Sequence, residues 1–173
     1  MEFRAITIKG KPYGSTGEGC SDKLLNDFKL VKLPNVSFFD SEFFGIIRNP
    51  HHLDFPDVKE AILLLALCHT VGAENKPEGL FYNSASPDEI AMVNFSRFCG
   101  FEYFGLDDNN NICVNYMNKR LIYKLLYVFE FDGERKRQSV IIQKENNEIY
   151  LYCKGADSTM ENLLDTHTTK SKM

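Results

Sequence analysis

Residues 121–157, LIYKLLYVFEFDGERKRQSVIIQKENNEIYLYCKGAD, constrain the possible folds more than any other stretch of the chain. Three apolar runs rich in β-branched and aromatic residues (121–131, 139–143 and 149–153) are separated by Asp132–Gly133 and by Glu145, Asn146 and Asn147. Runs of that length with turn residues between them predict a three-stranded antiparallel meander. Chemistry-bearing residues gather at its ends. Phe131 closes the first run and Arg135, Lys136 and Arg137 follow it, while Lys154 and Gly155 come off the last run. The next helix is one that Asp157 or Ser158 can cap. An aromatic face with separated cations suits a ligand with a flat ring at one end and phosphates at the other.

The rest of the chain supplies helices and further strands. Residues 5–9 alternate and end at Gly10, the pattern of an edge strand turning out. The segment GSTGEGCS matches both glycines and the Ser of a phosphate-binding G-x-x-x-x-G-K-[ST] loop. Cys20 stands where the Lys must be, so a surface loop is the better reading. Phe38, Phe39, Phe43 and Phe44 form a packing stripe at near-helical spacing. His51 and His52 have no ligand-spaced partner, which leaves them solvated rather than metal-binding. Residues 57–70 predict a buried helix with Pro56 near its start and Gly72 as its stop. Adjacent helix positions point about 100° apart, so Cys68 and His69 read as a buried thiol and a helix-terminal His, not a catalytic pair. A polar loop over 74–79 and a strand over 80–83 precede a helix over 86–99. There Ser86, Pro87 and Glu89 make a capping-box start. Strands over 101–104 and 112–117 flank a polar turn at 107–111.

Composition narrows the class. A chain of 173 residues is long enough to bury a core as one domain. Its 43% hydrophobic and 25% charged content marks neither a disordered chain nor a membrane segment. The longest apolar run, 61–68, falls far short of the roughly 20 residues a bilayer span needs, and the start, MEFRAITIKG, lacks a signal-peptide pattern. A net charge of −4 argues against a nucleic-acid surface. Five cysteines, none as CxxC, point to reduced thiols in the cytosol rather than a disulfide framework or zinc site.

FEFDGERKRQSVII, CKGADS and SASPDEIAMV resemble three signatures of the nucleotide-binding domain of P-type ATPases. The SPDE form, the CHT at Cys68–His69–Thr70 and the Asp of KGAD resemble the type IV subfamily, the phospholipid flippases. The resemblance runs from Met1 to about Leu164. It implies an α+β domain, a twisted, mainly antiparallel sheet flanked by helices. Residues 1–13 would be the connecting strand from the phosphorylation domain and 165–173 a polar tail. It implies a nucleotide-binding set of Asp88, Glu89, Phe131, Arg135, Lys136, Lys154 and Gly155, with no catalytic residue and no metal ligand in the chain. Glu89 would meet the adenine edge, although the same carboxylate is placed to complete the capping box. Phe131 would stack on adenine, although strand alternation also groups it with Tyr123, Leu125, Tyr127 and Phe129 as a core aromatic. Lys136 and Lys154 would be the cations, Lys154 at the base pocket, and Gly155 and Ala156 would admit the nucleotide close to the backbone.

The activity implied is to bind ATP and deliver its γ-phosphate to an Asp on a separate domain, with Mg²⁺ carried by the ATP. The DKTG motif of that Asp is absent from the sequence, as is a GLRTL-type segment with its phosphate-contacting Arg. A domain lacking its C-terminal part, which binds nucleotide without turning it over, is the expectation. The resemblance also implies actuator and transmembrane partners, an accessory membrane β-subunit, a phospholipid substrate, and a cytoplasmic location on an integral membrane protein. A non-catalytic docking module of the same fold and a cation-transporting relative are the alternatives.

Overall fold

Chain reversals fall where residues tolerate a left-handed backbone, and the strands they separate make three antiparallel sheets. The computed structural model describes residues 1–14, 22–27 and 30–164. The segment weighed as a phosphate loop, residues 15–21, and the tail expected over 165–173 lie outside the described residues. β1 (Ala5–Ile8) and β2 (Lys11–Gly14) form a hairpin around Lys9 and Gly10, both at positive φ, as a two-residue turn that follows strand twist requires. A Cβ on Gly14 would sit 2.4 Å from the Arg4 carbonyl oxygen and 2.9 Å from the Phe38 ring, so only glycine fits there.

After α1 (Asp22–Asp27), Asp40 caps α2 (Ser41–Ile47), accepting from the Phe43 amide at 2.9 Å and from the Gly14 amide at 3.0 Å. That cap joins the hairpin to the aromatic stripe. Phe38, Phe43 and Phe44 meet edge-on, and Phe3 stacks on Phe95 at 3.8 Å. All but the half-buried Phe3 are buried, each contributing about 2–3 kcal/mol of transfer free energy.

α3 (Phe55–Leu67) carries Pro56 in its first turn and buries Val58, Ile62, Leu63, Ala66 and Leu67. It stops three residues before the expected 70. Cys68 leaves the helical region, and His69 folds back to bond both sides of the break. Its Nε2 donates to the Ala66 carbonyl at 2.9 Å and its Nδ1 accepts from the Val71 amide at 3.1 Å. The expected loop over 74–79 is instead largely β3 (Gly72–Lys76), paired with β4 (Gly79–Asn83). A two-stranded ribbon with one wet face needs few apolar residues, so its polar sequence hid the strand. The Tyr82 hydroxyl fastens the ribbon to the Tyr103 carbonyl at 2.8 Å.

Ser86 caps α4 (Pro87–Phe98), accepting from the Glu89 amide at 3.3 Å. The reciprocal half of the capping box is not made. Ser84 Oγ takes the Ser86 amide, leaving the Glu89 carboxylate to reach elsewhere. β5 (Phe101–Leu106), β6 (Ile112–Tyr116), β7 (Lys119–Phe129), β8 (Arg137–Gln143) and β9 (Ile149–Gly155) then form a five-stranded antiparallel sheet in sequence order. The chain is thus an α+β domain, with the core between this sheet, α2, α3 and α4.

β7 departs from simple alternation. Its pairing with β8 slips between Leu125 and Tyr127, which is a β-bulge. Tyr123 is buried before the slip and Val128 faces inward after it, while Tyr127, Phe129 and Phe131 are exposed. Grouping Phe131 with Tyr123 on one face therefore fails, because the bulge inverts the faces. α5 (Asp157–Glu161) follows β9 with Ala156 at its N-cap and no side-chain cap, so neither Asp157 nor Ser158 plays the expected part.

Candidate functional site

The segment after α3, the segment between β4 and α4 and the end of β9 converge on one carboxylate of α4. Glu89 Oε2 accepts from Thr70 Oγ1 at 2.9 Å, the Thr70 amide at 3.3 Å and Ser84 Oγ at 3.4 Å. Its Oε1 accepts from Lys154 Nζ at 3.0 Å. Both partners are largely buried, with side chains 12% and 19% exposed. Burial pushes the Glu89 carboxyl upward, but the Lys154 ammonium and the two Thr70 donors outweigh it and the net direction is down. Glu89 is held as a carboxylate.

This pair forms one wall of a cleft of about 750 Å³, within the size range of small-molecule sites. Phe131 stands at its rim, 64% exposed and so not a core aromatic. Asp88, Gly155 and Ala156 also line it, with Thr70, Glu130 and Gln138 among the other walls. The charged lining is Asp88, Glu89 and Glu130 against a single Lys154 that is already paired. Such a cleft repels phosphate and suits a flat base rich in hydrogen-bond donors.

The structure does not bring Arg135 or Lys136 into this lining. The Arg135 guanidinium lies over the Phe129 ring at 5.1 Å and reaches Ser139 Oγ at 3.5 Å, on the outer side of the sheet. Lys136 is exposed at positive φ, and its carbonyl accepts from the Ala156 amide at 3.1 Å. Its backbone rather than its ammonium touches the site. Gly155 has a packing reason to be glycine, because a Cβ there would lie 2.7 Å from both the Lys136 oxygen and the Arg137 Cβ.

Cys68 and His69 flank the site without entering it. The Cys68 thiol donates to the Gln138 and Tyr152 carbonyls, and burial pushes its pKa up to about 11. Burial lowers His69 to about 4. With an edge-on Tyr103 against its ring, His69 is a neutral structural histidine.

Sequence reasoning missed Thr70 and Gln138. Thr70 lay in the CHT motif beside the broken helix end. Gln138 was visible as an isolated amide between Arg137 and an apolar strand run. A second cavity of about 740 Å³, beside α2 and β6, holds none of the predicted residues. Its Arg97 is committed to Glu102 at 2.8 Å and to the Leu80 carbonyl at 2.9 Å.

Comparison with known proteins agrees with this architecture. The family model "P-type ATPase, cytoplasmic domain N" matches residues 57–171, and the chain belongs to that family. It lies on the type IV, phospholipid-transporting branch. It is 42% identical over 180 residues to phospholipid-transporting ATPase ID of Homo sapiens, covering 98% of this chain. To phospholipid-transporting ATPase IC of Homo sapiens it is 37% identical over 99% of the chain, and to phospholipid-transporting ATPase FetA of Mus musculus 36% over 95%. The chain spans about 14% of the length of each of these relatives. No helix among the described residues is long and apolar enough to cross a membrane.

Proposed function

We propose that this domain binds ATP with its base in the Glu89–Lys154 cleft and presents the γ-phosphate to an Asp carried by a separate phosphorylation domain. The observation that carries the reading is an exposed Phe131 and a partly buried, ion-paired Lys154 lining one cleft. A ring at the rim offers a stacking surface, and the acidic lining keeps phosphates outside while accepting the amino group of a base. Ser84, the longest of the four contacts to Glu89, is the one a base amino group would displace. Lys136, exposed on the turn beside Ala156, would be the cation for the phosphates where they leave the cleft. Mg²⁺ travels with the ATP.

The domain's contribution to catalysis is positioning. In the whole protein that phosphorylation would drive phospholipid translocation, with the actuator domain, transmembrane helices and an accessory β-subunit as partners. Residues 1–13, with the β1–β2 hairpin, would form the connection to the phosphorylation domain. The test is a titration of the 173-residue chain with ATP. Saturable binding on the order of millimolar is expected, weakened about tenfold or more by Lys154→Ala. Unchanged affinity in that variant would remove Lys154 from the site.

A further inference from the structure

β8 and β9 carry apolar residues on both faces, which a sheet with one wet side does not need. Their inward positions, Val140, Ile142 and Tyr152, are buried in the core. The alternate positions, Ile141, Ile149 and Leu151, face away from it, and β7 adds Tyr127 and Phe129 beyond its bulge. Strand register aligns Tyr127, Ile141 and Leu151 in one row across the three strands. Tyr127, Ile149 and Leu151 are each more than half exposed, and the Tyr127 and Phe129 rings lie 4.6 Å apart. α5 touches this side at one end, where Met160 Sδ is 3.9 Å from Cys153 Sγ, and leaves the row open. Contiguous apolar positions on a sheet face mark a surface that packs against another layer.

We propose that a second copy of this chain supplies that layer, the two sheets packing face to face about a twofold axis along β8. The row is complementary to itself. A twofold in that direction lays β7 of one copy on β9 of its partner, so Tyr127 meets Leu151 at two symmetric crossings and Ile141 meets its own counterpart. The aromatic side of each sheet then lies on the aliphatic side of the other, in the aligned packing of stacked sheets about 10 Å apart. None of the three row residues is charged, so nothing in the row repels its copy. Residues 165–173, DTHTTKSKM, carry a single apolar side chain, too little to bury this face. The pairing leaves the Glu89–Lys154 cleft free, since Lys154 alternates onto the core side with Tyr152. Three strands of about seven residues make a face of roughly 10 by 20 Å. That is below the roughly 800 Å² per partner of a standard interface, so the dimer is weak, with a dissociation constant on the order of 100 μM.

Sedimentation of the 173-residue chain from about 10 to 500 μM tests this. The wild type should pass from monomer toward dimer across that range. Tyr127→Lys and Leu151→Glu should each weaken dimerisation about tenfold or more, because each sets an unpaired charge against an apolar side chain twice in the interface. Both side chains are mostly exposed, so neither change empties the core. Mixed in equal amounts, the two variants should dimerise again. At one crossing the introduced ammonium meets the introduced carboxylate, and the other keeps its native Tyr127 and Leu151. A wild type still monomeric at the highest concentration overturns the proposal. A dimer that survives Tyr127→Lys overturns it too, since β7 is an inner strand and the contact would then run along the free edge of β9. Variants that stay monomeric when mixed would overturn the crossing of Tyr127 on Leu151, and with it the axis along β8.

Discussion

Two glutamates bridge helices to the same sheet, and only one of them lines an open cleft. Glu60 on α3 accepts from Lys144 Nζ at 2.8 Å and from the Tyr152 hydroxyl at 2.6 Å. Glu89 on α4 accepts from Lys154 at 3.0 Å and from Thr70 and Ser84. Pair chemistry is nearly identical, and the surroundings differ. Around Glu60, Lys144 lies 3.6 Å from the Tyr150 ring centroid and Tyr150 stacks beside Tyr152, so aromatic rings occupy the space where a ligand would go. Around Glu89 the equivalent space is a cleft with Phe131 at the rim and Gln138 on its wall. The same ion-pair chemistry thus closes a packed latch at Glu60 and lines an open cleft at Glu89.

Removing each carboxylate should break that comparison most visibly. Glu89→Ala strands Lys154, only 19% exposed, without its counter-charge, and should cost about 3 kcal/mol of stability along with measurable ATP binding. Glu60→Ala removes a carboxylate that is itself 43% exposed, and Lys144, 18% exposed, keeps the Tyr150 ring face against its ammonium, so the change should cost about 1 kcal/mol with ATP affinity intact. Urea unfolding of both variants beside ATP titrations checks the pair. Equal losses of stability and equal ATP affinities would mean that both glutamates are latches.

Acid should act selectively on the cleft end. His69 is held near pKa 4 in the fold against 6.5 in an unstructured chain, so between those values the unfolded chain binds more protons and stability falls as pH falls. Across that window the loss approaches about 3 kcal/mol, at 1.36 kcal/mol per unit. Glu89, with its pKa lowered, adds stability above its ordinary value of 4.5 that is lost below it, in the same direction. Protonating His69 cancels the acceptor for the Val71 amide and loosens the segment that carries Thr70. His69→Gln should flatten the dependence of the urea midpoint on pH from 6.5 toward 4; an unchanged slope would assign it to other groups. Thr70→Val comes next in size. Losing the 2.9 Å hydroxyl bond to Glu89 should cost about 1 kcal/mol and weaken ATP a few-fold, with Thr70→Ser restoring both.

How much of this was legible in the sequence depended on the range of the contact. The meander, the Ser86 cap and the buried α3 are written in spacings of two to four residues, and each appears in the structure. The Lys154–Glu89 pair joins residues 65 apart, and no local pattern marks it; the motif resemblance brought both residues forward. The bulge at Leu125 and Tyr127 has no glycine or proline to announce it, yet it turns Phe131 outward. Gln138 looked like one more strand residue because whether a side chain lines a cleft is a property of the folded neighbours. The basic triplet at 135–137 is a different case, since Arg135 lies over the Phe129 ring and Lys136 is exposed outside the cleft lining, which no local pattern foretells.

Lys136 gives the smallest effect and the sharpest edge to the comparison between latch and site. Its backbone holds Ala156 whichever side chain it bears, so Lys136→Ala should leave the melting temperature unchanged. Its ammonium is exposed and outside the cleft lining, so its charge acts on a ligand from the solvent side, where water screens it. At about 7 Å in bulk water a unit charge pair is worth about 0.6 kcal/mol, or roughly threefold in affinity. ATP, whose phosphates leave the cleft, should therefore weaken about threefold in Lys136→Ala, and the difference should fade as salt is raised. Adenosine, which carries no phosphate, should bind both chains alike. An equal loss for adenosine would put Lys136 at the base, and with it the claim that the acidic cleft and the phosphate route are separate places would fail.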